Sequence, residues 1–155
     1  MITAQEEAWS QAIVDMEPLL AEHYQELSLH TGLFPLSVCF GIYNAMEARG
    51  ELMVVTLREL GTLVGYFVGF VRPGMHYSTC LTLTMDVFFL SPEVRNKGAG
   101  AFKLFRHVEK AAKARGVDYM LFGSKKHKDS GRIFQAMKMT HIEDWYGKFL
   151  VKRGV

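Results

Sequence analysis

The stretch FFLSPEVRNKGAGAFKLF, residues 88–105, decides the fold. Its sequence predicts the end of an apolar strand, then a turn that contains Pro92. The motif Arg95-x-x-Gly98-x-Gly100 follows and leads into a predicted helix. Glycines in this turn leave no side chain over the backbone amides, which point, with the positive end of the helix dipole, toward one spot. The turn therefore predicts a site for a pyrophosphate, where Arg95 and Lys97 add positive charge.

Three phosphate-binding motifs compete to explain this turn. A Rossmann fingerprint needs a third glycine, but this sequence has Lys103 at that position, and the preceding strand ends an antiparallel run. A P-loop needs Gly-Lys-Ser or Gly-Lys-Thr, and neither occurs in the sequence. The third motif is the acyl-CoA loop of an acetyltransferase.

The residues outside this stretch predict helices followed by a sheet. Apolar side chains at spacings of three and four predict a helix over residues 5–29, kinked or restarted at Pro18, and a shorter helix over 39–49. Strands are predicted at 52–57, 63–71, 79–90, 118–122 and 142–151, and helices at 101–115 and 129–139. The first three strands form an antiparallel meander, and the rest of the chain alternates helix and strand.

The composition fits a single domain of mixed α/β (α+β) class. The chain has 155 residues, of which 49% are hydrophobic and 22% charged, so it is neither disordered nor fibrous. We expect one domain over residues 1–155, with N-terminal helices over 5–49 and a core over 50–151. No apolar stretch reaches the ~20 residues of a membrane span, and the polar start lacks a secretory signal. A cytoplasmic protein without a membrane partner is expected.

The charges divide between the two halves of the sequence. Residues 1–71 contain nine acidic and two basic residues, whereas residues 72–155 contain seven acidic and sixteen basic ones. A basic half suggests an anionic ligand, and an acidic half favours a cationic one. No nucleic-acid partner is expected, because the lysines spread along a helix and no recognition motif is present. Histidines and cysteines show no metal-ligand spacing, so no metal is expected.

Together with its flanking elements, the turn resembles the signature of the GNAT superfamily of N-acetyltransferases. That signature consists of a strand, the motif V-x-P-x-x-R-G-x-G-x-G and then a helix. The matching residues are Leu90-Ser-Pro92-Glu-Val-Arg95-Asn-Lys-Gly98-Ala-Gly100. The resemblance covers roughly residues 50–151 and is closest to small acetyltransferase-like proteins encoded by bacteriophages. The family's first strand is absent here or only a few residues long. The resemblance implies a mostly antiparallel central sheet flanked by helices, with an acyl-CoA cleft at a splay between two central strands.

The resemblance also implies that acetyl-CoA is the co-substrate and lies between strands 79–90 and 118–123. Backbone groups of Phe88, Phe89 and Leu90 would pair with the pantetheine arm as an added strand would. The backbone amides that would hold the pyrophosphate belong to Arg95, Asn96, Lys97, Gly98, Ala99 and Gly100. An acceptor amine would attack the thioester directly, and a backbone N–H near Leu90 would bind the oxyanion. Coenzyme A would leave as a thiol.

Asp86 is the candidate base, four residues before Leu90, where many relatives carry a glutamate. Alternation predicts that Asp86, Phe88 and Leu90 share one face of the strand, with Met85, Val87 and Phe89 on the other. A carboxylate on so apolar a strand is costly unless it is hydrogen-bonded or used. Asp86 could also anchor the acceptor amine, pair with a lysine, cap a loop or lie exposed.

The candidate acid departs from the family pattern. Relatives often place a tyrosine in the helix after the fifth strand, and the matching position here is Phe134, which cannot donate a proton. Tyr146 is the candidate substitute. Alternatively, the thiolate leaves unaided or is protonated by water, or the protein binds acyl-CoA without efficient turnover.

His127 lies near the position where relatives often have an asparagine that contacts the pantetheine. Its neighbours form the run Lys125-Lys126-His127-Lys128, which is either an exposed basic loop or a contact for the 3′-phosphate of CoA. The predicted function is acetyl transfer from acetyl-CoA to a primary amine on a small molecule or protein. The alternative is a GNAT-like acyl-CoA-binding or regulatory module. Dimers are common in the family, so a homodimer is among the partners considered.

Overall fold

The computed structural model describes residues 1–95 and 99–150. Asn96, Lys97 and Gly98, which belong to the predicted pyrophosphate loop, lie outside the described residues, as does Val151 of the predicted last strand.

The described residues form a sheet and helices in the order β1, α1, α2, β2, β3, β4, α3, α4, β5, α5. The strands are β1 Ile2–Glu6, β2 Leu52–Glu59, β3 Thr62–Pro73, β4 Leu81–Leu90 and β5 Tyr119–Leu121. The helices are α1 Trp9–Leu27, α2 Phe40–Ala48, α3 Pro92–Arg95, α4 Gly100–Ala114 and α5 Gly131–Ala136. No helix in the described ranges is both long and apolar enough to cross a bilayer.

The five strands lie in the sheet in chain order, β1-β2-β3-β4-β5. The first three pairings are antiparallel, and β4 pairs with β5 in parallel. This arrangement confirms the predicted mixed α/β fold with a mostly antiparallel sheet. It also places the β4–β5 pair at one edge, with the turn and helix α4 between the two strands in the chain.

Each face of the sheet buries its own apolar cluster. Helix α4 packs on one face, where Leu104, Phe105 and Val108 are fully buried against side chains of β2, β3 and β4. Helices α1 and α2 cover the other face, where Trp9 and Met16 pack with side chains that include Tyr66 and Phe89. The amphipathic stripe of α4 ends where Gly116, at φ +75°, takes the left-handed conformation expected of a C-cap.

The start of the chain is a strand, so the prediction of a helix from residue 5 is wrong. β1 pairs with β2 along its whole length, and Ile2 and Ala4 pack against the cluster under α4. A strand of five mostly polar residues carries little local signal, because its stability comes from the partner strand. Helix α1 begins only at Trp9 and then continues through Pro18 without dividing in two.

The predicted last strand is also wrong over its described part. Residues 142–150 have no strand structure, and Trp145 and Leu150 are exposed. Side chains attach this segment instead, since Phe149 packs on Phe34 with ring centroids 5.3 Å apart. β5 is three residues long and offers only a short edge for another strand to extend.

The connection between β1 and α1 is fixed by a partly buried ion pair. Glu7 accepts hydrogen bonds from Arg58 Nε at 2.7 Å and Arg58 Nη2 at 2.9 Å, and from the Thr56 hydroxyl. These bonds lower the pKa of the Glu7 carboxyl to about 2. The pair therefore fastens the end of β1 to β2.

We expect Glu7→Gln to lower the free energy of unfolding by about 2 kcal/mol at neutral pH. A carboxyl whose pKa falls on folding stabilises the protein above its unfolded value of 4.5, and this contribution disappears as the pH falls toward about 2. Urea unfolding at several pH values should show this loss in the original protein and not in the variant. Glu17→Gln, at an exposed position of α1, is the control. Parallel stability curves for Glu7→Gln and the original protein would contradict the assignment.

Candidate functional site

The candidate site begins where β4 and β5 part. The two strands pair only where Thr82–Thr84 lie beside Tyr119–Leu121. Residues 85–90 continue the sheet with no β5 neighbour in the described part of the chain. The Ser91 amide donates to Val64 O at 2.9 Å, so the alternation of an antiparallel ladder directs the amides of Phe88 and Leu90 away from β3. Those amides face the gap, which has the form of the predicted splay.

A β-bulge at Asp86 changes which face of β4 each side chain occupies. Opposite β3, Met85 pairs with Gly69 and Val87 pairs with Val68, which leaves Asp86 as the extra residue. The predicted alternation through Asp86 is therefore wrong. Met85, Phe88 and Leu90 pack under α4, whereas Val87 and Phe89 pack under α1 and α2. The Asp86 side chain points to the α2 side, where it meets Tyr43.

Asp86 is half-buried and hydrogen-bonded. The Tyr43 hydroxyl donates to Asp86 Oδ2 at 2.5 Å. Burial raises the pKa of Asp86, and the Tyr43 hydrogen bond, which lowers it, only partly offsets this effect. The pKa of Tyr43 is raised in turn by burial and by the neighbouring carboxylate. The bulge therefore carries a carboxyl that is more basic than an ordinary aspartate.

A buried histidine lies on the same face of the sheet. His23 Nδ1 lies 2.6 Å from the Tyr66 hydroxyl, and the His23 ring stacks on Phe89 with centroids 5.2 Å apart. Burial lowers the pKa of His23 to about 4, so the ring is neutral at neutral pH. His23 thus joins α1 to the strand that borders the gap.

The turn between β4 and α4 begins with a short helix rather than the predicted open loop. Proline suits the first helical position, and the amides of Val94 and Arg95 both donate to the Ser91 carbonyl at 3.0 Å. Ala99 is exposed and precedes α4. Gly100 lies against α3, because a Cβ at this position would be 2.4 Å from Val94 Cγ1. Only glycine allows α3 and α4 to approach this closely.

Arg95 binds other residues of the chain with its guanidinium. It forms an ion pair with Glu26 at the end of α1, with one bond of 2.9 Å, and donates to the Leu90 carbonyl at 2.7 Å. The ion pair lowers the pKa of Glu26 and raises that of Arg95. The structure thus connects the predicted pyrophosphate turn to α1, a partner that the sequence did not indicate.

The loop after β5 meets the same end of α1. His127 is exposed, and its Nε2 donates to the Leu27 carbonyl at 3.1 Å. Lys128 Nζ lies 3.3 Å from Glu26 Oε1. The end of α1 therefore contacts both sides of the gap, the turn after β4 through Arg95 and the loop after β5 through His127 and Lys128.

Phe134, at the family's acid position, and Tyr146, its candidate substitute, lie in different surroundings. Phe134 is buried among the rings of Phe88, Phe105 and Phe122. Tyr146 is 94% exposed in the segment after α5, and no described hydrogen bond or ring contact joins it to β4. The structure therefore does not bring Tyr146 together with Asp86.

Tyr43 and Tyr66 are the side chains that the sequence analysis did not assign to the site. Helical periodicity shows which residues of α1 and α2 are apolar, but it does not show where those helices meet β4. The described part of the chain contains no group of three His, Cys, Asp or Glu side chains placed to hold a metal ion.

Solved structures match this architecture over nearly its full length. A ribosomal-protein-alanine N-acetyltransferase from Brucella melitensis biovar Abortus 2308 is 15% identical with a TM-score of 0.68, covering 99% of this chain and 100% of its own. An aminoglycoside acetyltransferase from an uncultured soil metagenomic sample is 11% identical with a TM-score of 0.74, at 98% and 99% coverage. Glucosamine-6-phosphate N-acetyltransferase from Arabidopsis thaliana is 11% identical with a TM-score of 0.69, at 97% and 99% coverage.

The chain therefore has the GNAT fold, as the turn and its flanking elements predicted. No family model matches the sequence, and no curated protein matches it either. At these identities the match establishes the fold alone.

Proposed function

We propose that residues 1–155 form a single acetyltransferase domain that moves the acetyl group of acetyl-CoA to a primary amine in a ternary complex. The observation that carries this proposal is the gap between β4 and β5, bordered by outward-facing strand amides and by a partly buried carboxylate on a bulge. A helix N-terminus that would bind phosphate, a strand edge that would bind pantetheine and a candidate base thus border the same gap. The chemistry of acyl transfer needs all three.

The cleft supports an extended CoA molecule. The amides of Phe88 and Leu90 would pair with the pantetheine arm, as Phe89 between them holds the strand to β3. The pyrophosphate would lie at the N-terminal end of α4, near Ala99 and Gly100, where unpaired helix amides favour an anion. The other residues assigned to this turn by the sequence analysis are Asn96, Lys97 and Gly98.

The basic residues around the turn would bind the remaining phosphate charge. Arg95 would exchange Glu26 for the pyrophosphate or hold the turn from behind. His127 and its lysine neighbours stand on the β5 side, where they would meet the pantetheine or the 3′-phosphate.

Asp86 would act as the base. A primary amine with a pKa near ~10 is mostly protonated at neutral pH and must lose a proton to attack. Because burial raises the pKa of Asp86, its carboxylate accepts a proton more readily than an exposed aspartate would. The neutral amine would then attack the thioester carbonyl, and a backbone N–H near Leu90 would stabilise the oxyanion.

The solved neighbours indicate the kind of acceptor. Their names specify a ribosomal-protein alanine, aminoglycosides and glucosamine-6-phosphate, all of which carry an amine. The acidic helix α1, with Glu22 and Glu26 near the gap, favours a cationic acceptor here. Both a small molecule and a protein terminus satisfy this condition.

Two measurements test the proposal. Calorimetry should show that acetyl-CoA and CoA bind, and a thiol-release assay over a panel of amines, peptides and proteins should show turnover. Absence of binding at millimolar ligand would remove the acyl-transfer proposal. Binding with no turnover on any acceptor would favour the second candidate, an acyl-CoA-binding module. The buried Phe134, where relatives carry a proton-donating tyrosine, is the observation that supports that candidate.

We expect Gly100→Ala to weaken acetyl-CoA binding by about tenfold or more, because the new methyl group would force α3 and α4 apart. Calorimetry measures the change directly. Adding Val94→Ala removes the Cγ1 atom that the methyl group would strike, so the double variant should recover part of the affinity. Gly32→Ala, with open space around its Cβ, is the matched control. Unchanged affinity in Gly100→Ala would place the ligand elsewhere.

A further inference from the structure

Acyl transfer leaves a thiolate that needs a proton. The position where relatives often carry a tyrosine for this purpose holds Phe134, which has no proton to donate. Among the described tyrosines near the gap, Tyr66 is bound to His23, which is neutral at neutral pH. Tyr43 differs, because its hydroxyl reaches the carboxylate proposed as the base, at 2.5 Å from Asp86 Oδ2. Its hydroxyl therefore reaches from α2 to the bulge that carries the proposed base.

Tyr43 is also held in a fixed orientation. Its ring stacks on Trp9 with centroids 4.4 Å apart and an interplanar angle of 22°. The Trp9 indole N–H in turn donates to Asn44 Oδ1 at 3.0 Å, next to Tyr43 on α2. A ring that is packed on one side and hydrogen-bonded at its tip points in one direction without further ordering, which is what proton transfer requires.

We propose that Tyr43 is the catalytic acid, which donates its phenolic proton to the departing sulfur of CoA and recovers a proton from Asp86. This assignment rests on the proposed acetyl-transfer function.

The protons can be followed through the Asp86–Tyr43 pair. An acceptor that arrives as an ammonium first loses one proton to Asp86, which passes it to water and is a carboxylate again. The amine nitrogen then bonds to the acetyl carbon and gives its second proton to the Asp86 carboxylate. The carbon–sulfur bond breaks, and its electron pair leaves with the sulfur, which takes the Tyr43 proton. The Asp86 carboxylic acid then returns its proton to the Tyr43 oxygen across their hydrogen bond. The products are an amide and a thiol, and both side chains regain their starting states.

The direction of transfer follows from acidity. A phenol is a weaker acid than a thiol, at roughly 10 against roughly 8.5, and an ionised neighbour weakens it further. Once Asp86 has taken the proton of the amine, that negative charge is gone. A carboxylic acid is a far stronger acid than a thiol, so the net transfer from Asp86 through Tyr43 to sulfur is favourable.

The test is Tyr43→Phe, which retains the ring on Trp9 and removes only the hydroxyl. We expect kcat with acetyl-CoA to fall by about 10²-fold, with the dissociation constant of CoA unchanged. Tyr77→Phe, at a 72% exposed position before β4, is the matched control and should retain full activity. Thermal unfolding should confirm that both variants are folded.

A second acyl donor separates proton donation from mere positioning of Asp86. In the analogue of acetyl-CoA with oxygen in place of the thioester sulfur, the leaving alkoxide needs a proton far more than a thiolate does. Tyr43→Phe should therefore lose at least tenfold more activity with this analogue than with acetyl-CoA. Equal losses with both donors, or no loss with acetyl-CoA, would overturn the assignment of Tyr43. Failure of the unmodified protein to acetylate any amine would instead overturn the proposed function, and the Tyr43 assignment with it.

Discussion

Replacement of Asp86 by asparagine should slow acetyl transfer by about 10² to 10⁴-fold and leave acetyl-CoA binding unchanged. Asparagine keeps the shape of the side chain and an oxygen that accepts the Tyr43 hydrogen bond, but it cannot take a proton from the amine. Steady-state thiol release gives the rate, and calorimetry gives the dissociation constant. The stability should change little, because the bulge residue has no partner on β3.

The pH profile supplies an independent check on Asp86. Since burial raises its pKa above the ordinary value of 3.8, the acid limb of kcat/KM should lie at a higher pH than for an exposed aspartate. Activity should rise with pH through this limb as the carboxylate forms. Asp15→Asn, on α1 and half exposed, is the control that should keep the full rate. A fully active Asp86→Asn variant would show that the base is another group.

Acidification from pH 6.5 to 4 should cost the folded protein about 3 kcal/mol through His23 alone. In the unfolded chain His23 takes up a proton near its ordinary pKa of 6.5, whereas in the folded protein its pKa is about 4. Between these values only the unfolded state binds the proton, so stability decreases as the pH falls through this window. Urea unfolding at pH 7, 5.5 and 4 measures the loss.

The variant His23→Gln isolates this contribution. Glutamine can still form a hydrogen bond with the Tyr66 hydroxyl but does not titrate. The stability of the variant should therefore depend less steeply on pH over the same window. His141→Gln, at a 70% exposed side chain, should keep the slope of the original protein. Equal losses of stability between pH 7 and 4 in His23→Gln and the original protein would show that the folded protein also protonates His23 in this window. Burial would then not lower the pKa of His23.

Local signals in the sequence were sufficient for the central strands and for α4. The meander is decided by short apolar runs and by a tight turn, where Leu60 and Gly61 adopt positive φ values of 51° and 87°. The apolar stripe of α4 predicts this helix, and Gly116 predicts where it ends. Such features depend on neighbours within a few residues, so the sequence reports them directly.

Features that depend on distant partners were missed. β1 exists because β2 offers an edge fifty residues later, and the segment after α5 stays out of the sheet because β5 is short. The bulge at Asp86 shifts the phase of β4 by one residue, and strict alternation cannot anticipate an extra residue.

The candidate site likewise contains residues that a local sequence signal identifies and residues that only distant contacts define. Asp86 was identifiable because a carboxylate in an apolar strand needs a reason, and the glycine turn because of its composition. Tyr43 and His23 lie 43 and 63 positions before Asp86, on helices whose contacts with β4 only the folded chain defines. The ion pair of Arg95 with Glu26 likewise joins residues 69 positions apart.

The bulge separates the reactive position from the framework that supports it. Position 86 stands outside the regular ladder, while Met85 and Val87 beside it keep their own neighbours in β3. Exchanges at position 86 therefore alter the reactivity of the cleft without repacking either apolar cluster. Divergent descendants of such a chain would be free to acquire new acceptors through this one position while inheriting the same scaffold.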